Sequence, residues 1–125
     1  MSVRCLALFQ YKPKQEKIIL HIALHFFIPA LLAAAVFLVH KDVPRVGLIY
    51  LLMVATMLVD LDHLVAVPIY DPERCSIGFH PLHQEFMIGV YACLCLFPKT
   101  RWIGIGLLIH MGLDAQDCWR QGTYA

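Results

Sequence analysis

The chain has 125 residues, of which 60% are hydrophobic and 15% are charged, and its formal net charge is +1 at pH 7. A single domain spanning residues 1–125 follows from this length. The mean hydropathy of +0.69 is typical of a polytopic membrane protein and excludes an ordinary soluble domain. The small net charge excludes a nucleic-acid-binding protein, which needs lysines and arginines clustered on a basic face.

Four apolar segments predict four helices. A bilayer core about 30 Å thick is crossed by about 20 apolar residues in a helix, and the segments at about 17–39 and 46–69 reach that length. Pro29 lies inside the first segment and is expected to kink it, as membrane helices tolerate. The segments at about 81–97 and 102–119 are short for a full crossing, so they are expected to tilt or to lie partly at the interface. The predicted fold class is all-α, an integral membrane bundle of about four helices with short loops.

Most of the histidines and aspartates fall into four short clusters along these helices. An ionisable side chain inside a membrane segment is costly unless it is paired, hydrated or bound to a metal, so it indicates a functional site. In an up-and-down bundle with short loops, all four clusters lie at the same end. One polar metal site toward one end of the bundle is therefore predicted. The clusters are His21-x3-His25, Asp60-x-Asp62-His63, His80-x2-His83 and His110-x3-Asp114-x2-Asp117.

The first two clusters place ligand-type side chains on single helix faces. His21 and His25 are four residues apart and project from one face of the first helix. Asp60 and His63 are three apart and also share a face, whereas Asp62 points elsewhere in a regular helix. Asp62 is expected either to orient a ligand histidine from behind or, if the helix unwinds, to bind the ion itself.

The last two clusters lie at the start of the third helix and in the second half of the fourth. His80 and His83 flank a helix start and can turn to a common point, although a loop histidine facing water is the alternative. His110, Asp114 and Asp117 form one polar stripe on an otherwise apolar helix. Asp117 lies nearest the end and could equally be a solvated terminal residue.

Mixed imidazole and carboxylate ligands suit Zn²⁺, Mn²⁺ or Fe²⁺. The candidates outnumber the ligands of one tetrahedral zinc, so one or two divalent ions are predicted, with zinc favoured. Two ions would activate a water molecule and stabilise both oxygens of a phosphoester displacement. Arg74 would bind phosphate unless it is a solvated loop charge, and Glu85 would be the general base. The predicted ligands are His25, Asp60, Asp62, His63, His80, His83, His110 and Asp114, with His21 and Asp117 as a second tier.

The five cysteines are expected to be small apolar packing residues. Their number is odd and no C-x-x-C motif occurs, which disfavours a disulfide framework or a redox motif. A ligand role is the alternative for Cys75 and Cys118, because each lies close to a polar cluster.

The basic residues predict which way the bundle faces. With the N-terminus inside, six lysines and arginines lie on the inner side and four on the outer side. Lysine and arginine are more frequent in cytoplasmic loops. The N-terminus and the site are therefore expected at the cytoplasmic face of a bacterial inner membrane.

The order of the motifs resembles that of the membrane-bound metal-dependent hydrolases of the YdjM/YbcI type. Here the pattern reads His25 or His21, then Asp60-x-Asp62, then His80 with His83, then His110-x3-Asp114, within about residues 21–117. It is also similar to a subgroup of uncharacterised function with D-x-D-H, H-P-L-H and H-x3-D motifs, and more distantly to helical zinc phospholipases C and P1-type nucleases. The resemblance implies metal-dependent hydrolysis without naming a substrate. In one departure, Pro81 stands where the larger group has a basic residue.

The predicted function is metal-dependent hydrolysis of a phosphoester in a small or lipid-like substrate that enters from the membrane lipids. A di-iron or haem redox protein is one alternative, because membrane four-helix bundles also bind haem through paired histidines. Carboxylates in the clusters count against haem. A non-enzymatic metal-binding or transport protein is the other alternative, although transporters place ligands nearer the membrane midplane. So short a chain offers little surface for a substrate pocket, which is consistent with a homodimer.

Overall fold

A computed structural model of the chain describes the backbone of residues 3–69, 71 and 73–122, and the side chains of the same residues from 16 onward. Within these ranges the chain is helical and contains no strand. The predicted all-α class with four helices is confirmed. The elements are α1 (Val3–His40), α2 (Val43–Ala55), a 3₁₀ segment (Thr56–Val65), a 3₁₀ turn (Pro81–His83), α3 (Glu85–Leu96) and α4 (Arg101–Gln121).

A two-residue turn folds α2 back along α1. Lys41 follows α1 with a left-handed φ of 53°. Asp42 caps α2, because its side chain accepts a hydrogen bond from the Arg45 backbone N–H at 3.2 Å. Pro44 lies in the first turn of α2, where its missing N–H leaves no hydrogen bond unmade. The cap and the proline explain why α2 begins earlier than the hydrophobic pattern predicts.

The second predicted helix changes from α to 3₁₀ geometry in its second half. Thr56 Oγ1 donates a hydrogen bond to the Met53 carbonyl oxygen at 2.6 Å, at the point where the backbone tightens. A 3₁₀ helix has about three residues per turn, so residues three apart stand above one another. Asp60 and His63 therefore share a face, while Asp62 leaves the segment on another side.

The central helix of the bundle is α4, which packs against α1, α2, α3 and the 3₁₀ segment. Two glycines allow the backbone of α4 to come close to the backbones of α2 and α3. A Cβ atom on Gly104 would lie 2.8 Å from the Tyr91 carbonyl oxygen of α3, and one on Gly106 would lie 2.8 Å from Met53 Cα of α2. Close approach through small residues is typical of helix packing in membranes. It brings the polar stripe of α4 into the middle of the bundle.

Two helical stretches are long and apolar enough to cross a membrane, Glu16–His40 and Val43–Val65. Many of their large apolar side chains face outward; Leu38, for example, is 76% exposed. The first stretch passes through Pro29 as one continuous α-helix. The third helix, α3, is apolar but has only 12 residues. A membrane crossing by any of these helices stays a prediction.

A disulfide joins Cys75, in the loop before the 3₁₀ turn, to Cys118 in α4, with a Cα–Cα distance of 5.0 Å. The prediction that the cysteines are only packing residues is wrong for this pair, and the bond excludes a ligand role for either. This bond could not be predicted from the sequence, because the two cysteines are 43 residues apart and only the path of the folded loop brings them together. Cys93 and Cys95 are free, and the side chain of Cys5 lies outside the described residues.

Candidate metal centre

Four side chains converge between the 3₁₀ segment, the 3₁₀ turn and α4, and they form what we call the primary cluster: Asp60, His83, His110 and Asp114. His83 Nε2 lies 3.3 Å from Asp60 Oδ1 and 3.2 Å from Asp114 Oδ2. It also lies 3.3 Å from His110 Nε2. His110 Nε2 in turn lies 3.1 Å from Asp60 Oδ1 and 3.6 Å from Asp114 Oδ2. Four ligand-type atoms therefore surround one point.

These separations match the edges of a tetrahedral metal site. Zinc bonds to histidine nitrogen and carboxylate oxygen are about 2.0–2.2 Å long, so two ligands of a regular tetrahedron lie about 3.3–3.6 Å apart. The five distances of 3.1 to 3.6 Å lie close to that range. Charge-assisted hydrogen bonds between the same groups would be shorter, about 2.7–2.9 Å. A divalent ion would therefore fit with little rearrangement of the four side chains.

Asp62 orients His83 from behind. Its Oδ2 accepts hydrogen bonds from His83 Nδ1 at 3.1 Å and from the Leu82 backbone N–H at 2.8 Å. With the proton held on Nδ1, the lone pair of His83 Nε2 points into the primary cluster. A carboxylate behind a metal-binding histidine is a common arrangement that fixes the tautomer and the ring orientation. The geometry therefore favours the orienting role of Asp62 over direct ligation.

His21 and His25 on α1 face the primary cluster from the opposite side, and together with Asp114 they form a second group that could hold an ion. His21 Nε2 lies 3.2 Å and His25 Nε2 lies 3.8 Å from Asp114 Oδ1. His25 Nδ1 is 2.9 Å from the His21 carbonyl oxygen. The i, i+4 spacing puts both rings on one face, as the sequence predicts, and there both approach the carboxylate of Asp114.

A third group contains Asp62, His63 and His83. His63 Nδ1 lies 3.1 Å from the Asp60 carbonyl oxygen, and its Nε2 lies 3.2 Å from Ser76 Oγ. Both ring nitrogens of His63 are therefore engaged by the protein itself. We therefore interpret this group as a support for the primary cluster and not as a separate ion site.

The primary cluster is closed except at Asp60. His83 is 0% exposed and His110 is 1% exposed, whereas the side chain of Asp60 is 40% exposed. Burial opposes a positive charge on His83, but hydrogen bonds to the three aspartates around it raise its pKa to about 10. The surrounding carboxylates thus stabilise a cation at this point. A metal ion would displace the proton, as metal binding to histidine generally does.

Two predicted ligands lie outside the three groups. His80 packs its ring against that of His63, with centroids 3.7 Å apart. Burial, followed by the electrostatic effect of His63, lowers the pKa of His80, which disfavours a positive charge on its ring. Asp117 accepts a hydrogen bond from Gln121 at 2.7 Å near the end of α4. The alternative reading of Asp117 as a terminal residue outside the site is favoured.

The two residues predicted to act on substrate also lie outside these groups. The guanidinium of Arg74 donates to the carbonyl oxygens of Pro68 and Ile69 at 2.9 and 3.3 Å, and it lies 4.6 Å from the centroid of the Phe79 ring. Arg74 therefore stabilises its own loop, and binding a phosphate would require some of these contacts to break. Glu85 is exposed in the first turn of α3. The catalytic roles of Arg74 and Glu85 stay predictions.

Sequence reasoning missed two residues that support the site. Ser76 hydrogen-bonds to the His63 ring, and the Tyr91 hydroxyl donates to the Leu82 carbonyl oxygen at 2.8 Å, which holds the 3₁₀ turn. Tyr91 did carry a signal, because a buried tyrosine in an apolar helix needs a hydrogen-bond partner for its hydroxyl. Ser76 carried none, since serine is common in loops.

Comparison with known proteins gives a family and no function. The model of a family of unknown function, DUF6122, matches residues 16–120. This range includes both stretches that could cross a membrane, the disulfide-bonded loop and every residue of the three ion-binding groups. No curated protein and no solved structure shows a significant match to the chain.

We expect Asp62→Asn to weaken zinc affinity by about 10- to 100-fold, because an amide no longer fixes the tautomer of His83 or supplies its charge. The change is isosteric, so the 3₁₀ turn should persist. Zinc competition against a chelator on detergent-purified protein measures the effect. Asp117→Asn is the matched control. It also removes one negative charge, but from the end of α4 outside the site, so the affinity should stay unchanged. Wild-type affinity in Asp62→Asn would contradict the orienting role.

Proposed function

Because this chain belongs to DUF6122, a family of unknown function, we propose its function from the site itself. The protein is a membrane-embedded, metal-dependent hydrolase that cleaves a phosphoester in a lipid-like substrate. Zinc is the favoured ion, and manganese and iron suit the same ligands. The observation that carries this proposal is the tetrahedral spacing of the primary cluster together with the partial exposure of one of its four members.

The chemistry follows from which side chains are closed in and which one is open. His83 and His110 are buried and would hold the ion, while Asp60 lies at the open edge where water and substrate arrive. A bound divalent ion lowers the pKa of a coordinated water and polarises a phosphoryl oxygen. The partly exposed carboxylate of Asp60 would accept a hydrogen bond from a water molecule at this open edge. Asp62 keeps His83 in the correct tautomer throughout.

The surroundings of Asp60 support a lipid-like substrate. Leu58, Leu61 and Leu64 on the same 3₁₀ segment are 65%, 58% and 62% exposed, and their three-residue spacing puts them on one face. A contiguous exposed apolar surface indicates contact with a membrane or another apolar partner. Asp60 lies on a neighbouring face of the same segment, so a substrate whose tail lies along these leucines would have its polar head close to the open edge of the site. Membrane embedding of Glu16–His40 and Val43–Val65 is part of the same proposal.

A di-iron redox centre is the alternative that the ligand set favours most. Carboxylates bridging between histidines in a helical bundle also suit iron. Haem is disfavoured, because the primary cluster puts two carboxylates beside His83 and His110 and the two Nε2 atoms are only 3.3 Å apart. The identity of the bound metal therefore separates the hydrolase from its main rival.

We expect zinc- or manganese-loaded protein to release the head group or phosphate from phospholipid or lipid-phosphate substrates in detergent micelles. Asp60→Ala and His110→Ala should lose both the metal and the activity while still inserting into membranes, because each removes one of four ligands. Elemental analysis and phosphate release measure the two effects. His40→Ala, at the far end of α1, is the matched control and should retain both.

Two results would contradict the proposal. Full metal content in Asp60→Ala and His110→Ala would show that the primary cluster is not the site. Stoichiometric iron with redox activity and no hydrolysis would replace the hydrolase with the di-iron protein.

The disulfide bears on which side of the membrane the site faces. Disulfides persist in oxidising compartments and are rare in the cytosol, and the Cys75–Cys118 bond joins the loop and the helix that carry the site. The distribution of lysine and arginine favours the cytoplasmic side only weakly, with six on the side of the site and four on the opposite side. We therefore infer that the site faces the outer side of the inner membrane, opposite to the side expected from charge.

In acid-quenched bacterial cells, we expect two thiols to become reactive toward a polyethylene-glycol maleimide only after reduction, since Cys75 and Cys118 are bonded. Gel mobility counts the added labels. Cys75→Ser should abolish the reduction-dependent step, and Cys93→Ser, which removes a free thiol, should keep it. Equal labelling of the wild type with and without reductant would show that the disulfide is absent in cells, which would contradict the outer location and favour the cytoplasmic side.

A further inference from the structure

The carboxylate of Asp114 faces two different pairs of histidines. Its Oδ2 lies 3.2 Å from His83 Nε2 and 3.6 Å from His110 Nε2, within the primary cluster. Its Oδ1 points the other way, 3.2 Å from His21 Nε2 and 3.8 Å from His25 Nε2 on α1. One carboxylate thus separates two sets of imidazole nitrogens, one set on each oxygen.

One ring nitrogen of His25 is buried without a hydrogen-bond partner among the described residues. Its Nδ1 bonds to the His21 carbonyl oxygen at 2.9 Å, which leaves the lone pair on Nε2. That nitrogen is buried and has no hydrogen-bond partner among the described residues, and the whole residue is 5% exposed. Buried polar atoms almost always have a partner, so an unpartnered one needs an explanation such as a bound ion.

We propose that His21, His25 and Asp114 Oδ1 bind a second divalent ion, so that Asp114 bridges two ions through its two oxygens. Ions in two-metal sites lie about 3.5–4 Å apart, and the geometry keeps the two sites adjacent. The rings of His25 and His110, which bind different ions, pack edge to face with centroids 4.5 Å apart. This inference needs a metal in the primary cluster and does not need the proposed hydrolysis.

The second site has three protein ligands, whereas the primary cluster has four. A zinc with three protein ligands keeps a position for water or substrate, as catalytic zinc sites do, and a zinc with four is closed. The side chain of His21 is 24% exposed, so the second site also has access from outside. An ion held by His21, His25 and Asp114 would therefore have an open position for water or substrate, next to the ion of the primary cluster.

Metal content and magnetic coupling test the bridge directly. We expect about two equivalents of zinc or manganese in detergent-purified wild type and about one in His25→Ala. His40→Ala, a histidine at the other end of the same helix, should keep about two. With Mn²⁺, electron paramagnetic resonance should show a coupled pair in the wild type and a single-ion six-line spectrum in His25→Ala. Asp114→Asn should abolish the coupled signal.

One equivalent in the wild type, or two uncoupled ions, would overturn the bridge, as would two equivalents in His25→Ala. The wild-type count and spectrum decide the question even if His25→Ala fails to fold. A protein with two coupled ions and no hydrolysis would keep the second site and remove the hydrolase proposal. Hydrolysis with a single bound ion would keep the hydrolase proposal and remove the second site.

Discussion

The concentration of negative charge around one buried histidine is the constraint on which the rest of the structure depends. Asp60, Asp62 and Asp114 all lie within 3.3 Å of His83, which is completely buried. Buried charges are expensive unless they are paired or bind a metal. A positive charge at this point, on a protonated His83 or on a bound metal ion, would therefore balance the carboxylates that crowd around it.

Several features of the backbone serve to bring these groups together. The change from α to 3₁₀ geometry lets Asp60 and Asp62 approach His83 from two sides. Gly106 removes the side chain that would hold α4 away from α2, so His110 and its neighbours reach the site. The disulfide fixes the loop that leads into the 3₁₀ turn against the end of α4. The end that carries the polar clusters is thus held together by the 3₁₀ segment, the close packing of α4 and a covalent bond.

The hydrophobic pattern was enough to predict the four helices, and residue spacing was enough to predict which histidines and aspartates share a helix face. His110 and Asp114 are four apart on one helix, and that spacing alone puts both on one face. The role of Asp62 stayed open, because it depends on 3₁₀ geometry that periodicity cannot distinguish from α. The Cys75–Cys118 bond was missed, since it depends on the path of a loop. Local periodicity predicts faces of helices, whereas pairings across loops need the tertiary fold.

X-ray absorption at the zinc edge of metal-loaded protein tests the central claim most directly, because it reports the ligands themselves. A cluster of histidines and aspartates predicts nitrogen and oxygen neighbours at about 2.0–2.2 Å, with the outer-shell scattering of imidazole rings and no sulfur at about 2.3 Å. A sulfur shell would show that cysteines hold the metal. The absence of imidazole scattering would show that the metal is bound elsewhere, and either result would contradict the account.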